Sequence, residues 1–171
     1  GALFSQGVLI SLFLSIFGIS FTYLIAPSIF HALLQDADRA NIVIEFLKIR
    51  IWGIPFLFIY QMRNALLVGT NQSKFLIVGT ATEAVFNIFF DYALIFGHFG
   101  FVAFGINGAA YASIIAEAMG LLVIYLVIHY QKIGERFELF KNFSFKWDYV
   151  KLIMVQSMPI MAQYMISIIS W

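Results

Sequence analysis

The sequence predicts an all-α integral membrane protein, a polytopic helical bundle, and three observations carry that reading. Of its 171 residues, 62% are hydrophobic and 11% charged, against about 45–50% and about 25% in soluble domains. From Ala2 to Leu34 there is no Asp, Glu, Lys or Arg, a run well beyond the roughly 20 apolar residues that cross a bilayer. Charged residues then recur in short groups that separate further apolar stretches of spanning length, so the sequence divides into five helices.

The first helix, about 2–34, would reach ~50 Å, more than the ~30 Å hydrocarbon core requires, so a kink at Pro27 or ends outside the membrane are expected. Gln35 to Asn41, with Asp36, Asp38 and Arg39, connects it to a second helix at about 43–69. Thr70-Asn71-Gln72-Ser73-Lys74 turns the chain into a third at about 75–97, and a short turn around His98-Phe99-Gly100 leads to a fourth at about 103–129. Residues 1–129 are thus read as four helices of one bundle, the polar stretch 130–151 as a cytoplasmic linker, and 152–171 as the start of the first helix of a second bundle. A first apolar run too long for a signal peptide, and Trp171 inside an unfinished apolar segment, raise the expectation of an internal piece of a longer protein.

Lys74, Lys132, Arg136, Lys141, Lys146 and Lys151 flank one side of these spans, against Arg39, Lys48 and Arg50 on the other. The positive-inside rule then makes the 70–74 turn and the linker cytoplasmic. A net charge of +1 offers no surplus for nucleic acid, and zero cysteines exclude disulfides, thiolate metal sites and Cys nucleophiles. His31, His98 and His129 sit at segment ends without ligand spacing, an interfacial pattern. Neither a Ser-His-Asp set nor a phosphate-binding glycine loop is present, so the reading is of a non-enzyme without cofactor or metal centre.

Ionisable residues within apolar spans are costly and face a bundle interior or a watery cavity. Thr80, Glu83, Asn87 and Asp91 form one stripe on the third span. Measured from Gly97, Asp91 lies ~9 Å, Asn87 ~15 Å and Glu83 ~21 Å deep. On the antiparallel fourth span Ser113 and Glu117 reach ~15 Å and ~21 Å, which predicts one polar seam. Ala109, Ser113, Ala116 and Gly120 keep that side small, so the seam could equally be packing. Arg63 and Glu83 share a depth and are expected to form a structural ion pair, whereas Glu45, Lys48 and Arg50 are expected to reach the outer interface. In the last segment Met154, Met158, Met161 and Met165 lie opposite Gln156, Gln163, Ser167 and Ser170, so the polar face should meet protein or a cavity.

Three runs together resemble a known family: Phe46-Leu47-Lys48-Ile49-Arg50-Ile51-Trp52-Gly53-Ile54-Pro55-Phe56, Asn87-Ile88-Phe89-Phe90-Asp91-Tyr92-Ala93-Leu94-Ile95-Phe96-Gly97, and Gly105-Ile106-Asn107-Gly108-Ala109-Ala110-Tyr111-Ala112-Ser113. They are similar, in order and spacing, to the third to seventh helices of the multidrug and toxic compound extrusion (MATE) transporters. The resemblance spans nearly the whole chain. It implies part of a twelve-helix, two-bundle exporter in the plasma membrane, of a bacterial inner-membrane type, driven by inward Na⁺ or H⁺ and expelling lipophilic organic cations. Asn87, Asp91 and Ser113 would belong to its ion-responsive network, with Na⁺ possible at Asp91 and Asn87, and Glu117 and Gln163 are added as cavity residues. Val68 and Asn71 depart from the family's pattern, as does Ser167 where many members carry Glu. A flippase of lipid-linked saccharides and a non-transporting membrane scaffold are the alternatives.

Overall fold

A computed structural model describes residues 2–34, 36–132 and 147–169. They form six α-helices: α1 (Ala2–Leu33), α2 (Ala37–Arg50), α3 (Ile54–Gly69), α4 (Leu76–Phe96), α5 (Ile106–Tyr130) and α6 (Trp147–Ile169). Among the described residues there is no strand. Three helical stretches, Phe4–Leu33, Ser73–Phe96 and Ile106–Tyr130, are long and apolar enough to cross a membrane. The expected linker falls mostly on residues 133–146, outside those described.

The second span differs from the expectation at its start and its middle. Asp36 caps α2, its carboxylate accepting from the backbone N–H groups of Asp38 at 3.0 Å and Arg39 at 3.4 Å, so the helix begins at Ala37. Asp38 in the first turn and Lys48 and Arg50 in the last complement the helix dipole. Pro55 then has no N–H to offer the turn before it. A 3-10 turn, Ile51–Gly53, resolves this: the Ile54 N–H reaches back to the Ile51 carbonyl, and Pro55 sits in the first turn of α3, where a missing donor costs little. The span is one path with a break at its centre. By contrast α1 passes through Pro27 as a single helix, and α6 starts at Trp147, earlier than expected, with Asp148 in its first turn.

Among the described residues, α4 and α5 share the most extensive contact. Gly97, at φ 74, ends α4 in the left-handed conformation that glycine adopts without penalty. The Phe104 N–H returns to the Leu94 carbonyl at 2.8 Å, and Gly105, at φ 58, starts α5. Gly108, Ala112, Ala116 and Gly120, spaced at four, are all buried. A Cβ on Gly108 would run into the Leu94 backbone, and one on Gly120 would lie 3.3 Å from Glu83 Cβ. The small stripe is therefore one residue earlier than expected at Gly108 and Ala112, which leaves Ser113 on its rim.

Elsewhere the contacts are looser. α1 packs on α2 and α3, α5 packs on α2 and α3, and α6 touches α1. Tyr23 on α1 accepts a hydrogen bond from Trp52 Nε1 at 3.1 Å and donates to the Lys48 carbonyl at 3.2 Å, tying α1 to the broken span. Phe13, Ile16, Phe17 and Leu24 on α1, and Ile77, Val85 and Ile88 on α4, remain exposed. Such faces suit lipid or neighbouring helices rather than water.

Candidate functional site

A polar cleft of about 330 Å³ is lined by Arg50, Thr80, Glu83, Ala84, Asn87, Ser113 and Glu117. The third span supplies Thr80, Glu83 and Asn87 because steps of three and four place them on one helical face. α5 supplies Ser113 and Glu117 at a spacing of four. Opposite depth orders on antiparallel helices bring Asn87 to Ser113, and the Asn87 amide donates to the Ser113 hydroxyl at 3.3 Å.

Arg50 completes the cleft from the break in the second span. Its guanidinium makes a forked pair with the Glu117 carboxylate, Nη1 to Oε2 at 3.3 Å and Nη2 to Oε1 closer still. The Glu117 side chain is 6% exposed, that of Arg50 32%. Two parallel N–H···O bonds fix orientation as well as charge. Gly53 makes room for the pair, since a Cβ there would collide with both the guanidinium and the carboxylate. Thr80 shares a hydrogen bond with Tyr60 at 3.1 Å, joining α3 to the cleft-bearing helix. The lining thus holds two carboxyl groups, Glu83 and Glu117, and one guanidinium, Arg50.

Several expectations need correction. Arg63 and Glu83 do not pair. Arg63 faces α5, where Nη1 donates to the Leu121 carbonyl, while Glu83 lines the cleft; equal depth along two helices does not fix which way each side chain faces. Arg50 does not extend to the interface but folds inward to Glu117. Asp91 shares a helix with Asn87 one turn on, yet it is not among the cleft residues, and its Oδ1 is buried without a hydrogen-bond partner. Gln163 is exposed on α6, which touches α1, a helix that contributes nothing to the cleft. Met154, Met158 and Met165 are exposed too.

Arg50 is the functional candidate that sequence reasoning missed, and Asp36 was the available signal. A helix started at Ala37 puts Arg50 ~20 Å along, close to the ~16 Å of Glu117 from Ile106. At the far end of α4 the rings of Tyr92 and His98 stack at 4.2 Å. Among the described residues no group of three His, Cys, Asp or Glu side chains could hold a metal ion.

Comparison with known proteins places the chain among transporter sequences. A family model described as MatE matches residues 1–93. The "Probable multidrug resistance protein NorM" of Listeria innocua is 31% identical over 139 residues, 81% of this chain and 30% of that protein. The protein of the same name from Halalkalibacterium halodurans is 32% identical over 154 residues, 88% of this chain and 34% of its own length. "Probable multidrug resistance protein YoeA" of Bacillus subtilis is 28% identical over 126 residues, covering 74% of this chain and 27% of that protein. The chain spans about a third of the length of the curated relatives it matches. No solved structure matches.

Proposed function

The chain belongs to the MatE family, and on that footing we propose that it forms part of a cation-coupled multidrug exporter in a bacterial inner membrane. The observation that carries this reading is the cleft itself: two carboxylates, an amide and two hydroxyls gathered between α4 and α5, helices otherwise apolar enough to span a bilayer. Polar groups at that depth are expensive and gather where an ion or polar solute passes.

Asp91 is the coupling residue in this proposal. Its Oδ1, buried without a hydrogen-bond partner, offers an acceptor to a proton or to Na⁺, with Asn87 one turn away as a further oxygen donor and Ser113 bonded to it. Cation uptake there removes a negative charge next to the cleft. The cleft's attraction for a cationic substrate falls accordingly, a linkage commonly of about 1–3 kcal/mol between two sites. Two carboxyl groups against one guanidinium in the lining favour lipophilic organic cations as substrates, small molecules that reach the cleft from the bilayer. Glu117 serves as cavity wall, held by Arg50. No covalent step is required, so the reading is of a transporter and not an enzyme. Vesicles containing the full-length protein, loaded with an organic cation and given an imposed Na⁺ or pH gradient, test it: cation movement against its gradient supports the proposal, and no movement under either gradient sinks it.

A further inference from the structure

Glu83 and Glu117 line the same cleft, but they are not equally available to a guest. The fork from Arg50 occupies both Glu117 oxygens. The ion pairs among the described residues are Arg39 with Asp36 and Arg50 with Glu117, and no described residue pairs with or hydrogen-bonds to the Glu83 carboxyl group. Its root is nonetheless fixed: Gly120 packs so closely that a Cβ there would lie 3.3 Å from Glu83 Cβ, while the head of the side chain reaches the cleft.

One turn further along α4, the Asn87 amide nitrogen donates to the Ser113 hydroxyl, which leaves the Asn87 carbonyl oxygen unengaged. Glu83 and Asn87 are both half-buried, and their unengaged oxygens keep accessible surface. The other polar side chains of the lining are committed, Arg50 to Glu117 and Thr80 to Tyr60 and the Leu76 carbonyl. What the cleft still offers is therefore acceptors, a carboxyl group and an amide oxygen. The two positions are ~6 Å apart along the helix, about twice an N–H···O distance, so one ammonium group can donate to both.

We propose, resting on the exporter reading above, that Glu83 determines substrate specificity: the cleft takes a lipophilic monocation whose charged head carries N–H groups, a protonated amine or an amidinium, which donates to Glu83 and to the Asn87 oxygen. One unpaired carboxyl group matches one positive charge, and a second charge on the guest would enter an apolar span without a partner. A quaternary ammonium keeps the charge but has no N–H, so it forfeits the charge-assisted bonds. Sites built to hydrogen-bond a guest reject the analogue that lacks the donor.

Equilibrium binding to the full-length protein in nanodiscs, measured by calorimetry and corrected for empty nanodiscs, tests this with three matched probes: pyrenemethylammonium, its trimethylammonium analogue and neutral pyrenemethanol. The parent should bind the primary ammonium about tenfold or more tightly than either analogue. Glu83→Gln should remove that advantage, and Glu83→Asp, which keeps a carboxyl group, should retain most of it. Equal ammonium affinity in the parent and Glu83→Gln, or no preference of the parent for the primary over the quaternary ammonium, overturns the proposal. If Glu83→Gln does not fold, dicyclohexylcarbodiimide, which modifies carboxyl groups in apolar surroundings, decides the matter on the unmodified protein. The ammonium should shield Glu83 from modification and the alcohol should not; modification equal with and without the ammonium, or none at Glu83, overturns the proposal. Binding is measured without a gradient, so the two readings fail separately. Ammonium held through Glu83 by a protein that exports nothing sinks the exporter reading alone, whereas export with binding indifferent to Glu83 sinks only this one.

Discussion

Arg50 and Glu117, 67 residues apart in sequence, meet as a forked ion pair where the break in the second span crosses α5. Burying two charges gains little net stability over an apolar pair of the same shape, but stranding one of them is costly. Arg50→Met or Glu117→Leu alone should therefore lower stability by about 3–5 kcal/mol, and the double variant should recover most of that loss. Thermal unfolding of the four full-length proteins in detergent supplies the double-mutant cycle. Additive losses would show that the two side chains do not interact.

Gly53 is expected to be essential to the same pair. Gly53→Ala places a methyl group where the guanidinium and carboxylate meet, so it should destabilise by roughly 1–3 kcal/mol, the range for inserting a group into a filled site. Gly69→Ala is the matched control, because nothing lies within 4 Å of its Cβ position. The control should be neutral or stabilising, as helical Ala is favoured over Gly by roughly 0.5–1 kcal/mol. Equal melting temperatures for Gly53→Ala and the parent would contradict the geometry.

Arg63 and Glu83 provide a negative test. Since they face different surfaces, exchanging their charges in Arg63→Glu/Glu83→Arg should leave stability no better than the sum of the two single losses. Recovery on the same unfolding measurement would restore the expected ion pair.

Orientation rests on six flanking Lys or Arg residues against three. This chain has no cysteine, so a single one introduced here reports its own position once any others in the full-length protein are replaced. In whole cells His98→Cys should react with an impermeant thiol reagent, and Ser73→Cys, on the exposed turn between α3 and α4, should react only after the membrane is opened. The reverse pattern would invert the topology.

Much of the fold was legible because bilayer physics writes it in composition: α1, α4 and α5 follow directly from apolar runs of spanning length, charge-free in α1 and interrupted only by Glu83 and Asp91 in α4 and by Glu117 in α5. The Asn87–Ser113 meeting was legible too, since depth along antiparallel helices is arithmetic. What depth does not encode is azimuth and the packing angle of non-adjacent helices. Arg63 and Glu83 agree in depth and diverge in direction, while Arg50 reaches Glu117 through a break at Ile51–Gly53 that brings the two elements together. Gln163, exposed on α6, shows a further limit: a polar helical face says that it needs a partner, not which one.

In the proposed mechanism a carboxylate beside the cleft, Asp91, couples ion entry to export. The most direct measurement is gradient-driven export of an organic cation by full-length Asp91→Asn, at matched membrane abundance, beside the parent. The near-isosteric amide should fold and insert normally. Export should fall to background under both Na⁺ and pH gradients; export retained at the parent's rate would contradict the claim.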